Sequence, residues 1–124
     1  RYLATDTVTA KQLEKRLRQK FIFLDVKANY LISDIPLATI EKFERVISDL
    51  YDYSLHEIDN HSSPNVIIKN FEQGVLNTTV HLYAVENGEL DIKSILARAE
   101  QLFGHKLSYF INKSASRYSI ELSI

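Results

Sequence analysis

The chain has 124 residues and a formal net charge of −1, and its 45% hydrophobic and 25% charged residues are typical of one folded domain. The absence of Cys excludes disulfides, thiolate metal sites and cysteine nucleophiles. The near-neutral charge argues against a dedicated nucleic-acid binder, and no apolar run is long enough to span a membrane.

The first predicted element is a long amphipathic helix. Thr9 and Gln12 fit a capping box, which marks a helix start. Apolar side chains then recur at spacings of three and four, as on one face of a helix over residues 10–32. This stripe consists of Leu13, Leu17, Phe21, Leu24, Ala28 and Leu31. A strand is the alternative for residues 21–26, because aromatic and β-branched side chains are concentrated there.

A second helix follows a break in the pattern. Pro36 suits its first turn, and apolar spacing extends it to about Tyr53. Residues 61–65 form the most loop-like stretch, and the apolar period changes there from helical to strand-like. We therefore divide the chain into a helical part, residues 1–62, and a strand-rich part, residues 63–124, which together make one domain.

The second part has a ββαββ pattern. Gly74 suits a hairpin turn, and Gly104 suits the end of a helix. The predicted elements are strands at 66–71 and 75–85, a helix at 92–103, and strands at 107–111 and 118–124. The expected fold class is therefore α+β. An N-terminal helical hairpin or long helix precedes a ββαββ unit, whose antiparallel sheet is covered on one face by a helix.

No catalytic pattern is recognisable. With only 3 Gly, the chain has no P-loop, dinucleotide fingerprint or nucleophile elbow. His56 and His61 come close to the H-E-x-x-H zinc pattern, but a spacing of five places the imidazoles about 140° apart on a helix. A polar helix end running into a loop is the preferred interpretation. We therefore expect no catalytic residue, metal or cofactor, and we predict that the chain is not an enzyme.

The basic and acidic residues are separated along the first half. Residues 11–20 carry five cations and one carboxylate, a net charge of +4, whereas residues 34–59 carry two cations and seven carboxylates, a net charge of −5. Three interpretations follow. The two helices pair through opposite charge, within one chain or between two chains; the basic stretch lies on an anionic membrane; or it binds nucleic acid, which the lack of interleaved aromatic residues disfavours.

The main functional prediction is a regulatory or protein-interaction domain that associates through its first helix. A stripe four turns long is more apolar surface than one neighbouring helix needs. We expect its interacting residues to be Leu13, Leu17, Phe21 and Leu24. Because the chain begins with Arg1 and contains no Met, we expect a fragment of a longer protein. The expected partner is a protein or a second copy, not nucleic acid, with membrane contact only through a removed flanking segment.

The alternative function is a small-molecule sensor. His81 and Tyr83 lie on the strand side opposite the predicted core, and Tyr109 lies in another predicted strand. Imidazole titrates near neutral pH, and aromatic side chains commonly line ligand pockets. These three residues are therefore the candidate ligand contacts on the sheet face.

Overall fold

The computed structural model describes residues 6–21, 24–54, 65–83, 88–114 and 117–124, apart from the side chains of residues 53, 54 and 83. Its elements, in chain order, are β1 (Thr7–Val8), α1 (Ala10–Lys20), β2 (Asp25–Ala28), β3 (Ile35–Pro36), α2 (Leu37–Ser54), β4 (Asn65–Glu72), β5 (Val75–Tyr83), α3 (Gly88–Phe103), β6 (Ser108–Lys113) and β7 (Arg117–Ser123). In this part of the chain, no helix is both long and apolar enough to cross a membrane.

The main sheet has five strands in the order β2-β4-β5-β7-β6. β2 runs parallel to β4, whereas the other neighbouring pairs are antiparallel. The short strands β1 and β3 pair with each other in a separate two-stranded sheet. The predicted α+β class and ββαββ unit are confirmed. The boundary at residues 62 and 63 lies outside the described residues, but β2 joins the sheet although it comes from the predicted helical part.

The first helix is shorter than predicted. Its capping box is present, with Thr9 and Gln12 each accepting a hydrogen bond from the other's backbone N–H. However, α1 ends at Lys20, and the backbone of Phe21 leaves the helical region at φ −123° and ψ 84°. The prediction of a helix up to residue 32 is therefore wrong. Residues 25–28 instead form an edge strand on β4, because β-branched and aromatic side chains near this point favour an extended chain.

One hydrophobic core joins the three helices of the described residues to one face of the sheet. Alternate residues of each long strand are buried there, including Val66, Val80 and Ile120, which lie side by side in neighbouring strands. The helices contribute Leu13 and Leu17 from α1, Ile40, Phe43, Ile47 and Leu50 from α2, and Ile92 and Leu96 from α3, all fully buried. The opposite face of the sheet, which we call the open face, carries no helix among the described elements.

The predicted interaction stripe is part of this core. Leu13 and Leu17 have no exposed surface, Leu24 is buried, and Phe21 is half-buried against the same cluster. The expectation that they bind a partner through an exposed stripe is corrected. After α1 the chain returns along β2, and α1 packs against this edge strand. Burial within the chain therefore replaces burial against another molecule.

The opposite charges of the first two helices meet at one point. The Arg16 guanidinium makes two hydrogen bonds of 2.8 Å to the Glu44 carboxylate, which is almost completely buried. Two parallel bonds of this kind fix direction as well as distance. They raise the pKa of Arg16 further above its usual value. This ion pair therefore links the two oppositely charged helices within one chain.

Candidate functional site

A groove of about 940 Å³ lies between α2 and α3 on the outer side of the helix layer. The two helices run antiparallel, because Lys42 near the start of α2 contacts His105 just after α3, at 3.2 Å between Nζ and Nε2. Lys42 also lies 5.8 Å from the centre of the Phe103 ring. The groove is lined by Arg45, Asp49, Asp52, Asp91, Ser94, Ile95, Arg98, Ala99, Gln101 and Leu102.

Charge is separated along this groove. Asp52 and Asp91 lie at the end where α2 finishes and α3 begins, whereas Arg45 and Arg98 lie further along the antiparallel pair. Arg45 Nε is 3.5 Å from Asp49 Oδ2, and both side chains are partly exposed. Within the described residues, Arg98 makes no ion pair. The groove therefore has a carboxylate end and a guanidinium end.

The floor of the groove is apolar. Ile95 and Ala99 are almost fully buried, and they lie one helical turn apart on α3. Ser94 and Gln101 add hydroxyl and amide groups, which both donate and accept hydrogen bonds. A concave site with an apolar floor and a few polar groups is the usual form of a small-molecule site. This arrangement suits a ligand that carries separated charges.

In the part of the chain that the structure describes, no three His, Asp or Glu side chains come close enough together to bind a metal ion. The His56 to His61 segment, which resembles a zinc pattern in sequence, lies outside the described residues.

The open face of the sheet carries a polar network. His81 Nδ1 lies 2.5 Å from Asn65 Oδ1, and burial, assisted by the nearby Arg117 cation, lowers the pKa of His81. Glu121 accepts hydrogen bonds from the Lys69 ammonium at 2.5 Å and from the Thr79 hydroxyl at 3.1 Å. These bonds lower the pKa of the Glu121 carboxyl. These polar groups are therefore hydrogen-bonded within the network itself.

The predicted ligand contacts are not brought together. His81 pairs with Ser119 on the open face, whereas Tyr109 pairs with Leu122, whose side chain is buried in the core. Because directly paired residues share a face, Tyr109 lies on the helix side of the sheet, opposite His81. The side chain of Tyr83 lies outside the described residues. The sequence places all three in strands but does not fix the relative register of β5 and β6.

The groove residues have no signal of their own in the sequence. Asp49 and Asp52 read as the solvated face of a helix, and Arg98 reads as an ordinary surface cation. What makes them one site is the antiparallel packing of α2 on α3, which local periodicity does not encode. The only related feature in the sequence is that Arg98 lies next to the apolar residues Ile95 and Ala99 on the same helix.

No protein-family model matches the sequence, and no curated protein matches it. The solved structures that share its fold include two of one kinase. The histidine kinase domain of a blue-light activated histidine kinase from Erythrobacter litoralis superposes on 100% of this chain and 69% of that chain, with a TM-score of 0.59 and 17% sequence identity. The larger structure of that kinase matches 90% of this chain and 39% of that chain, with a TM-score of 0.52 and 16% identity.

These likenesses establish the fold. They also overturn one prediction. The chain was expected not to be an enzyme because it carries no recognisable catalytic pattern, yet its fold is found in a domain of a kinase, which is a class of enzyme. The prediction is wrong because short patterns report particular sites, whereas the overall fold is set by the distribution of apolar residues.

Proposed function

We propose that this chain is a regulatory or sensor domain of a signalling protein, and that it binds a small charged molecule in the groove between α2 and α3. The separated charges of that groove, above an apolar floor, are the observation that carries the proposal. The likeness to a light-activated histidine kinase supports the signalling role. The groove therefore takes the place of the sheet face as the ligand site.

The ligand spans the two helices. Its anionic group lies between Arg45 and Arg98, because guanidinium groups form paired hydrogen bonds with phosphate and carboxylate oxygens. Its cationic group, or a bound divalent cation, lies at Asp52 and Asp91, because carboxylate oxygens are favoured ligands for hard cations. The apolar part of the molecule rests on Ile95 and Ala99.

Binding across two helices provides a means of regulation. α2 and α3 are both anchored on the same sheet through Phe43, Ile47, Ile92 and Leu96. A ligand that touches both helices favours the packing in which its two ends are best paired. It therefore shifts the population of conformations in proportion to its difference in affinity between them.

Calorimetric titration tests the proposal. Kinases bind ATP together with Mg²⁺, so ATP with and without Mg²⁺ is the first probe, followed by inorganic phosphate and glutamate. We expect saturable binding of at least one probe. Arg98→Gln removes a charge-assisted hydrogen bond, which contributes about 1.5–3 kcal/mol and corresponds to a loss of affinity of about 10–100-fold.

Lys106→Gln is the matched control, because Lys106 is exposed, lies near the end of α3 and does not line the groove. The control is expected to bind as the unmodified chain does. Absence of binding for all probes at millimolar concentration would contradict the proposal. Binding that is equally strong in Arg98→Gln would also contradict it.

A further inference from the structure

We infer that α1 and the turn after β2 form a docking surface for an anionic lipid membrane. This surface consists of Lys11, Lys15 and Arg18 of α1 together with Tyr30 and Leu31 of the turn, and we call it the basic surface. It is separate from the groove between α2 and α3 and does not depend on the function proposed for that groove.

The cations of the basic surface share one side of α1. At 100° per residue, Lys11, Lys15 and Arg18 lie within about 60° of one another. The buried residues Ala10, Leu13 and Leu17 lie on the opposite side of the helix. Among the described residues, Lys11 and Lys15 make no ion pair. Their charges therefore face solvent without a carboxylate partner, unlike that of Arg16, which Glu44 compensates.

The turn after β2 brings exposed apolar side chains close to α1. The Tyr30 hydroxyl donates a hydrogen bond of 2.7 Å to Glu14, which places the turn against α1. Leu31 follows directly and is 93% exposed, and Tyr30 itself is 61% exposed. An apolar side chain with so little cover gains free energy when it enters a lipid interface.

The turn holds Leu31 outward through a defined set of hydrogen bonds. The Asn29 side-chain oxygen accepts from the Leu31 N–H at 3.0 Å, and the Asn29 carbonyl accepts from the Ile32 N–H at 3.2 Å. The Asn29 N–H in turn donates to the Ile68 carbonyl at 3.1 Å, which fixes the turn to β4. Leu31 is therefore presented in place, so little ordering is required when the turn enters the lipid.

The acidic residues near the surface limit its charge. Glu14 is paired with Arg18 at 3.2 Å, Asp25 lies 3.9 Å from Arg18, and Asp34 lies at the end of the turn. Arg18 also donates a hydrogen bond of 2.8 Å to the Val26 carbonyl, so the charges left without an ion-pair partner are those of Lys11 and Lys15. Two unpaired lysines on a helix that contacts a turn with a projecting Leu31 match an anionic membrane interface, where each cation strengthens attraction to the lipid headgroups.

Vesicle sedimentation of the full chain tests this inference. Vesicles of phosphatidylcholine alone are compared with vesicles that contain about one-third phosphatidylserine, at low and high salt. We expect binding only to the anionic vesicles, and we expect salt to weaken it. Each of Lys11→Gln and Lys15→Gln is expected to lower partitioning about fivefold, which corresponds to about 1 kcal/mol per cation.

Two further variants separate charge from apolar insertion. Leu31→Ser is expected to lower partitioning about tenfold, because the apolar contact with lipid is lost. Asp25→Asn is expected to raise it by up to about fivefold, because a carboxylate at the edge of the surface is removed. The matched controls are Lys113→Gln, on the edge strand β6 at the other side of the sheet, and Leu90→Ser, which is 66% exposed on α3. Both controls are expected to leave binding unchanged.

Several results would overturn the inference. These are equal binding to neutral and anionic vesicles, binding that the Lys11, Lys15 and Leu31 variants do not alter, and lysine-dependent binding to a DNA duplex in place of vesicles. Circular dichroism of each variant excludes loss of folding as the cause of a change. Because these residues do not line the groove between α2 and α3, ligand titration of the same variants shows independently whether that groove is intact.

Discussion

The two faces of the sheet are built from the same strands but differ in character, since one is apolar and buried and the other is polar. On the helix side, side chains such as Val80 and Ile120 have no exposed surface. On the open face, their sequence neighbours His81 and Glu121 take part in polar hydrogen bonds close to water. The alternation of a strand therefore separates apolar burial from polar surface at a distance of one residue. Stability is concentrated on one side, and tolerance to substitution on the other.

The largest expected effect comes from removing a phenyl ring on each side. Phe43 is fully buried, whereas Phe110 lies on the open face and is 64% exposed. Phe43→Ala leaves a cavity and is expected to lower the free energy of unfolding by about 3–5 kcal/mol. Phe110→Ala is expected to change it by less than about 0.5 kcal/mol. Urea titration of both variants measures the difference, and similar costs would mean that the open face is covered in solution.

A smaller loss of stability is expected when the hydrogen bonds between α2 and the strands are removed. The Tyr51 hydroxyl of α2 donates to the carbonyl oxygens of Asn65 at 3.3 Å and His81 at 3.2 Å. Burial raises the pKa of this phenol, so it stays protonated and able to donate in the folded chain. Tyr51→Phe keeps the ring and removes these bonds, with an expected loss of about 1 kcal/mol. Thermal unfolding measures it, and a loss as large as that of Phe43→Ala would show that the ring packing had changed as well.

The smallest expected effect is a dependence of stability on pH that originates on the open face. Because the folded-state pKa of His81 is below its usual value of 6.5, the folded chain favours neutral imidazole. Its contribution to stability is complete above that value and is lost as the pH falls through the folded pKa. The lowered pKa of Glu121 acts in the same direction at more acidic pH.

His81→Gln is therefore expected to flatten the loss of stability as the pH falls below about 7. Urea midpoints at several pH values measure this slope. Asp34→Asn is a control, because Asp34 is exposed and lies directly before β3, outside the main sheet. An unchanged slope in His81→Gln would mean that another group carries the titration.

Much of the fold can be predicted from the sequence because its elements are strongly periodic. The alternation of Tyr118, Ile120 and Leu122 indicates a strand with one buried face, and the positive φ angles of Gly74 and Gly104 occur where the sequence indicates turns. The helix predicted beyond Lys20 is wrong because the apolar residues there keep helical spacings of three and four, although the chain leaves the helix and then forms a strand. A strand of four residues is too short for its own period to be visible.

The candidate site is much less predictable. Asp52 and Arg98 are 46 positions apart in the chain, and each lies on the polar side of an amphipathic helix. Only the packing of α2 against α3 gives them a common groove. Similarly, Leu31 continues the apolar stripe in sequence, but the structure turns it into solvent because the helix has already ended at Lys20.

The parallel pairing of β2 with β4 has a consequence for how the chain folds. Asp25 and its partner Asn65 are separated by 40 positions, whereas β4 and β5 are joined by a tight turn. Closing a long loop costs more entropy than closing a hairpin, so we expect β2 to join late in folding. As a four-residue strand paired on one side, β2 is also expected to open first. Its amide protons should therefore exchange with solvent sooner than those at the centre of the sheet, and α1 would be released with it while the hairpins persist.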